Sequence, residues 1–308
     1  MSPPKPHITV VGSLNIDWIA RVPKLPKPGQ TIASTSLIQR FGGKGANQAI
    51  AASRQGAQIS MIGCIGDDPS GIAYLNHLGN HHIHHEAILT LSKKFTGSAM
   101  IAVDDSAENQ IIVNAGANAH LKPQHLRQHE TLIAQSRALL LQWEVPQPAI
   151  VESLRLAEKH RVPVIMNPSP WHDQFPWGKH PIHTLVVNQH EAAALFGPKT
   201  LKQISSLQKA LATHRINRLI ITRGANSTLG ITPEAHIEMP AFPVDPLDTV
   251  GAGDTFAGTY ATCFAQRLDF PICLQHANTA AALATLKPGA QEAIPTHAQV
   301  TKALSQRK

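Results

Sequence analysis

The segment Asp248-Thr249-Val250-Gly251-Ala252-Gly253-Asp254-Thr255-Phe256 sets a carboxylate directly after a Gly-Ala-Gly turn, at the head of an Ala-rich stretch. Glycines let backbone N–H groups close on an anion, and the helix that follows adds its positive end. Asp254 falls in the first helical turn, beside an anion hole made by Gly251, Ala252 and Gly253. A carboxylate there can take a proton from a hydroxyl while the N–H groups receive a transferring phosphoryl group. Taken alone, the same residues also read as a helix cap.

A second opening is Phe41-Gly42-Gly43-Lys44-Gly45-Ala46-Asn47-Gln48. Its glycines bring the chain close to a ligand at a helix start, where Lys44 and Asn47 add polar groups. The Ser or Thr of a Gly-x-x-x-x-Gly-Lys-Ser/Thr loop is missing, so this is not a Walker loop, and a tight turn is the other reading. In Gly12-Ser13-Leu14-Asn15-Ile16-Asp17, the side chains of Asn15 and Asp17 are two apart. On an extended chain they share a face, which suits a vicinal diol. An Asx-turn is the alternative. The carbonyls around Asp248 and Val250 precede the anion hole. If the turn Thr285 to Ala290, which includes Pro288, packs beside them, they form an oxygen cage suited to a hard cation. Ala293 has no hydroxyl to add to it.

These groups need a scaffold that gathers them, and the pattern between them supplies one. Strands are expected over 8–12, 59–63, 138–143, 164–166, 185–187 and 218–222. Helices are expected over 46–55, 148–160, 191–196, 204–214, 252–266 and 271–286. Alternation at this spacing indicates a parallel sheet covered on both faces, with ligands at the strand C-termini. Two stretches break the alternation, 16–41 and 96–113. They read as a small β-sheet lid, the second as a hairpin turning at 104–109. The chain, 1–308, is expected to be one domain with this lid.

Composition narrows the class. Of 308 residues, 43% are hydrophobic, enough for a sizeable core, and only 15% are charged, which excludes coiled coils and long charged tails. The net charge of +7 is spread along the chain. It suits a phosphate-bearing small molecule, and no basic run interleaved with aromatics points to nucleic acid. No apolar run approaches a membrane span, and residues 1–7 carry no apolar signal core. Three cysteines, Cys64, Cys263 and Cys273, lack disulfide or metal spacing, so a reduced, cytoplasmic setting is expected.

In this order the motifs resemble the ribokinase family of the phosphofructokinase-B group. The likeness runs from Val10 to about Pro295. Beyond the three segments above it includes Pro28-Gly29-Gln30-Thr31, Ile65-Gly66-Asp67-Asp68, Asn114-Ala115-Gly116-Ala117-Asn118, Asn167-Pro168-Ser169-Pro170, Asn188-Gln189-His190-Glu191 and Gly289-Ala290-Gln291. The resemblance implies a three-layer α/β/α sandwich with a small β-sheet lid. It implies an ATP-dependent sugar kinase that phosphorylates D-ribose at O5. Other acceptors of the same chemistry are 2-deoxyribose, a nucleoside or another sugar, and a non-catalytic sugar sensor is the alternative of a different class.

Roles follow by resemblance. Asn15, Asp17, Gly43, Asn47 and Glu144 would hold sugar hydroxyls, with Lys44 lining the same opening, and Asp254 would be the base. Asn188 and Glu191 would organise Mg²⁺ and the ATP phosphates. Thr222, Gly224, Ser227 and Asn278 would border the nucleotide, with Ser227 standing where the family usually has glycine. Asp248 and Val250, with Thr285, Pro288 and Ala290, would hold potassium. The lids of two copies would pair into a homodimer. Outside these roles, His77, His81, His82, His84 and His85 read as a solvated loop. Trp171 and Trp177 read as loop packing, and Cys263 and Cys273 as core.

Overall fold

A computed structural model of the chain describes residues 5–106 and 108–306. Its strands, in chain order, are β1 (His7–Val11), β2 (Asn15–Arg21), β3 (Ser36–Gly42), β4 (Gln58–Gly66), β5 (Ile83–His84), β6 (Ile88–Leu91), β7 (Gly97–Val103), β8 (Asn109–Asn114), β9 (Ala138–Leu141), β10 (Val164–Met166), β11 (Ile182–Asn188), β12 (Ile216–Thr222), β13 (Ser227–Ile231) and β14 (His236–Pro240). The main sheet runs β14-β13-β12-β11-β10-β9-β1-β4-β5, with β6 also pairing β4. It is parallel from β12 to β5, and β13 and β14 add an antiparallel edge.

Strand periodicity divides the apolar residues between two cores. Leu140 and Ile220 join one cluster, and their neighbours Leu139, Leu141, Leu219 and Ile221 join the other. Strands buried on both faces read as continuous apolar runs, which is why alternation is absent in them. One face is covered by the helices Lys44–Arg54, Ala252–Ala265 and Phe270–Ala284, the other by Gln147–His160, Gln189–Phe196 and Ile204–Thr213. The expected three-layer α/β/α sandwich is therefore the fold.

One helix crossing places the chemistry. A Cβ on Gly258 would stand 2.4 Å from Gln48 O and 2.6 Å from Ala51 Cβ. The helices Lys44–Arg54 and Ala252–Ala265 touch backbone to backbone there, which only glycine permits. Their N-terminal ends consequently lie side by side.

The lid is a separate sheet, ordered β3-β2-β7-β8, formed by the two stretches expected to make it. β7 and β8 are an antiparallel hairpin turning after Val103; Ala107, within the expected turn, lies outside the described residues. Every residue of β8 is exposed, including Ile111, Ile112 and Val113.

The histidine stretch is only in part a solvated loop: His82 and His84 are exposed, with a turn at 81–82. His77 belongs to the helix Pro69–Asn80, His81 caps it, and His84 lies in β5. His77 is half-buried and stacks on Phe41 with ring centroids 4.0 Å apart. The imidazoles supply helix-end polarity and ring packing that a compositional reading takes for solvation. Trp171 and Trp177 pack around Trp143, and all three cysteines are buried, as expected. Among the described residues no helix is long and apolar enough to cross a membrane.

Candidate active site

The helix Ala252–Ala265 starts from Gly251 in the left-handed region, φ 76°. Asp254, in its first turn, is only 5% exposed. The neighbouring helix supplies both partners of its carboxylate: Asn47 Nδ2 donates to Oδ2 at 2.9 Å and Gln48 Nε2 to Oδ1 at 3.0 Å. Gln48 is itself held, since its Oε1 accepts from Gln142 Nε2 at 2.7 Å and its Nε2 also reaches Asn167 Oδ1 at 3.1 Å. Donors on an ionised carboxylate fix its lone pairs in direction as well as charge.

Beside Asp254 open two adjoining cavities. A polar one of about 230 Å³ is lined by Lys44, Asn167, Asn188, Glu191 and the residues Gly251, Gly253 and Asp254. A mostly apolar one of about 380 Å³ is lined by Thr222, Gly224, Phe242, Val244, Phe256 and Asn278, among others. Thr222, Thr249 and Gly253 border both. A Cβ on Gly253 would meet no protein atom within 4 Å. The missing side chain therefore leaves room for a ligand at the helix N-terminus, where N–H groups precede any intrahelical acceptor. The N–H of Ala252 turns back to Thr249 O at 3.3 Å, so the approach to an anion falls mainly to its neighbours.

Asn188 caps the helix Gln189–Phe196: its Oδ1 accepts from Glu191 N, and Glu191 Oε2 accepts from Asn188 N, both at 2.9 Å. This reciprocal box holds both side chains at the floor of the polar cavity. Their hard oxygens fit Mg²⁺, which takes oxygen ligands and keeps several waters. Lys44 lines the same cavity. Asp254 raises its pKa most, burial opposes, and Glu144 and Glu191 raise it further, so it is a firm cation.

The lid end is different. Asn15 opens β2, and its Oδ1 accepts from Asn118 Nδ2 at 2.8 Å, which turns its own amino group outward. Asp17 lies over Gly42, where an added Cβ would be 2.1 Å from its Oδ2. Burial first, then Glu144 and Glu292, push its carboxyl up to about 7. Glu144 accepts from Ser13 Oγ and from Lys44 N, which ties the ends of β1 and β3 together.

Most of the expected residues converge, and Ser227 does not. Ser227 does not line the nucleotide cavity: it opens β13, and its Oγ donates to Glu238 Oε1 at 2.9 Å. The carbonyl of Thr285 accepts from Leu247 N at 2.8 Å and Asp248 N at 3.1 Å, which brings it beside Asp248. The turn it begins does pack on Asp248, whose Oδ2 accepts from Gly289 N at 2.8 Å. Pro288, Ala290 and Val250 remain near that carboxylate. Asn47 reaches Asp254 directly through its Nδ2. Sequence reasoning missed Gln48, Asn118, Gln142, Glu292 and Gln291 as members of the site. The available signal was polar residues inside otherwise small, buried stretches.

The pfkB family carbohydrate kinase description matches residues 5–297. The ribokinase of Haemophilus influenzae is 36% identical over 299 residues, covering 96% of this chain and 98% of its own. That of Bacillus subtilis is 34% identical, covering 97% and 99%. Among solved structures, Arabidopsis thaliana ribokinase complexed with ribose and ATP matches with a TM-score of 0.89 at 27% identity, covering 98% of this chain and 99% of that one. Likeness of this extent, in sequence and in fold, makes the chain a kinase that belongs to the pfkB family of carbohydrate kinases.

Proposed function

We propose that the chain transfers the γ-phosphoryl group of ATP to O5 of D-ribose, forming ribose 5-phosphate and ADP. The observation that carries this reading is Asp254, a buried carboxylate held by two amides between a phosphate-sized polar cavity and the lid. Ribokinases with near-full-length similarity, one in a ribose and ATP complex, support the choice of acceptor.

In this reading adenine occupies the apolar cavity against Thr222, Gly224 and Asn278, and the phosphates run past Lys44 to the helix N-terminus. Asn15, Asp17, Gly43 and Glu144 receive the sugar hydroxyls, with the spare hydrogen of the Asn47 amide. Asp254 takes the O5 proton as O5 bonds to the γ-phosphorus, and the bond to ADP breaks. N–H groups around Gly251 and Gly253 neutralise the charge that builds on the phosphoryl oxygens, where such donors act most strongly. Asn188 and Glu191 would hold Mg²⁺, which would supply charge neutralisation to the phosphates. Oxygens of Asp248, Val250, Thr285, Pro288 and Ala290 would hold potassium, which would supply positive charge beside the anion hole. Residues 1–308 act as one domain with its lid, in the cytoplasm. The exposed apolar strand β8 supports pairing of lids in a homodimer.

Parallel phosphorylation assays on D-ribose, 2-deoxyribose, fructose and adenosine test the acceptor. Ribose is expected to give the highest kcat/KM. A higher value for any other acceptor, or sugar binding with no ATP turnover, overturns the reading.

A further inference from the structure

A line of hydrogen bonds runs from His77, on the helix Pro69–Asn80 beside the lid, through Gln291 and Asn47 to Asp254. His77 Nε2 lies 2.8 Å from Gln291 Oε1. Gln291 Nε2 donates to Asn47 Oδ1 at 2.9 Å and to Tyr74 Oη at 3.0 Å. Asn47 Nδ2 donates to Asp254 Oδ2 at 2.9 Å. A carboxamide oxygen only accepts, so His77 must carry a proton on Nε2. The outer supports rest on the end of β3: His77 stacks on Phe41 within 13° of parallel, and the Tyr74 hydroxyl donates to Gly42 O.

The direction of the line matters. An asparagine amide fits its site either way round, but only one way puts a donor on Asp254. Turned over, Asn47 would set its oxygen against a carboxylate. An ionised carboxylate only accepts, so Asn47 gives Asp254 its amino group and is left with its oxygen, which Gln291, 2% exposed, meets with Nε2. Burial makes a mismatched polar pair here costly. We propose that Gln291 is a positioning residue for phosphoryl transfer: gripped by His77 and Tyr74, it holds the Asn47 amide in the one orientation that donates to Asp254. The proposal rests on Asp254 as the base.

The test is steady-state kinetics on the full chain, with melting temperatures, for variants at 291 and 77. Gln291→Met keeps the volume but removes both amide groups. It is expected to lower kcat about ten- to a hundredfold, as misplacing a catalytic group does, and to leave the KM for ATP within about twofold. Gln291→Glu, nearly isosteric, cannot donate to Asn47 and is expected to lose kcat similarly, so a folding failure of Gln291→Met leaves the test intact. At the outer end, His77→Gln keeps a donor and His77→Phe keeps the ring stack. Positioning predicts that His77→Gln stays within about threefold of the parent kcat while His77→Phe falls about tenfold. A packing role predicts the reverse order. Gln291 variants with kcat within twofold of the parent, or His77→Phe at or above His77→Gln, overturn the proposal. Asp254→Asn, measured alongside, separates this failure from a failure of the base assignment, since unchanged turnover there removes the base itself.

Discussion

Asp254 and Asp17, the two carboxylates proposed to act on the sugar, stand in opposite surroundings. Asp254 receives two side-chain donors, Asn47 and Gln48, before any substrate arrives. Asp17 accepts no side-chain hydrogen bond from the described residues and shares its space with Glu144 and Glu292. The first is held by donors from the neighbouring helix, and the second is pushed away from its charged form by burial and by Glu144 and Glu292. The donors on Asp254 are thus set by the protein itself, and catalysis gains from such preorganised groups. The recognition end carries an electrostatic deficit that sugar hydroxyls, donating into it, would relieve.

The largest effect expected of this contrast is on turnover. Asp254→Asn keeps the size but removes the proton acceptor, and kcat should fall about 10² to 10⁴-fold, the usual worth of a general base. Nucleotide binding, followed by thermal shift with ATP, should persist. Turnover within threefold of the parent would erase the distinction between the two carboxylates.

Asp17→Ala should act on affinity instead. Hydrogen bonds to a charged group contribute about 1.5–3 kcal/mol, so the KM for ribose should rise about tenfold to a hundredfold. The KM for ATP should stay near the parent value. Equal rises for both substrates would move Asp17 out of the sugar pocket.

A smaller effect concerns stability. In the fold burial and the nearby Glu144 and Glu292 push the Asp17 carboxyl up to about 7 from its ordinary 3.8, so folded protein binds its proton more tightly than unfolded protein does. The sign follows: the penalty is absent below the unfolded pKa, grows as pH rises and is complete above the folded one. Asp17→Asn should therefore raise the Tm at pH 8 and leave it nearly unchanged near pH 4. A variant that melts lower at pH 8 would show that the wild-type carboxylate has a partner there. The lid adds a related expectation of association: light scattering should show a dimer at micromolar concentration, and Ile112→Asp on β8 should shift it to monomer. A parent protein that is only monomeric would leave β8 needing another cover.

Much of this contrast was legible in the residues. Apolar runs ending in Asn167 and Asn188, and the glycines around Gly43 and Gly251, located the strand ends and both helix starts. The lid was visible because 16–41 and 96–113 break the helix alternation. What stayed hidden depends on contacts across the chain. The Asn47–Asp254 bond joins residues 207 apart, and Gln291 reaches Asn47 from 244 away, so no local pattern marks either amide as structural to the base. Ser227 misled because a loop position was read without its strand partner: antiparallel pairing with β14 delivers Glu238 to its hydroxyl. The histidines misled for a similar reason, since Phe41, which stacks on His77, belongs to the lid.

The proton balance of sugar binding tests the contrast most directly. Ribose is titrated into the ATP-free enzyme at pH 6 by calorimetry, in buffers of different ionisation enthalpy. Asp17, protonated there when the pocket is empty, must ionise as hydroxyls donate to it, so binding should release about one proton. Asp17→Asn should abolish the release, and Asp254→Asn should leave it in place. Ribose binding to the parent enzyme with no proton released would contradict the account, because Asp17 would then be as well provided for without substrate as Asp254.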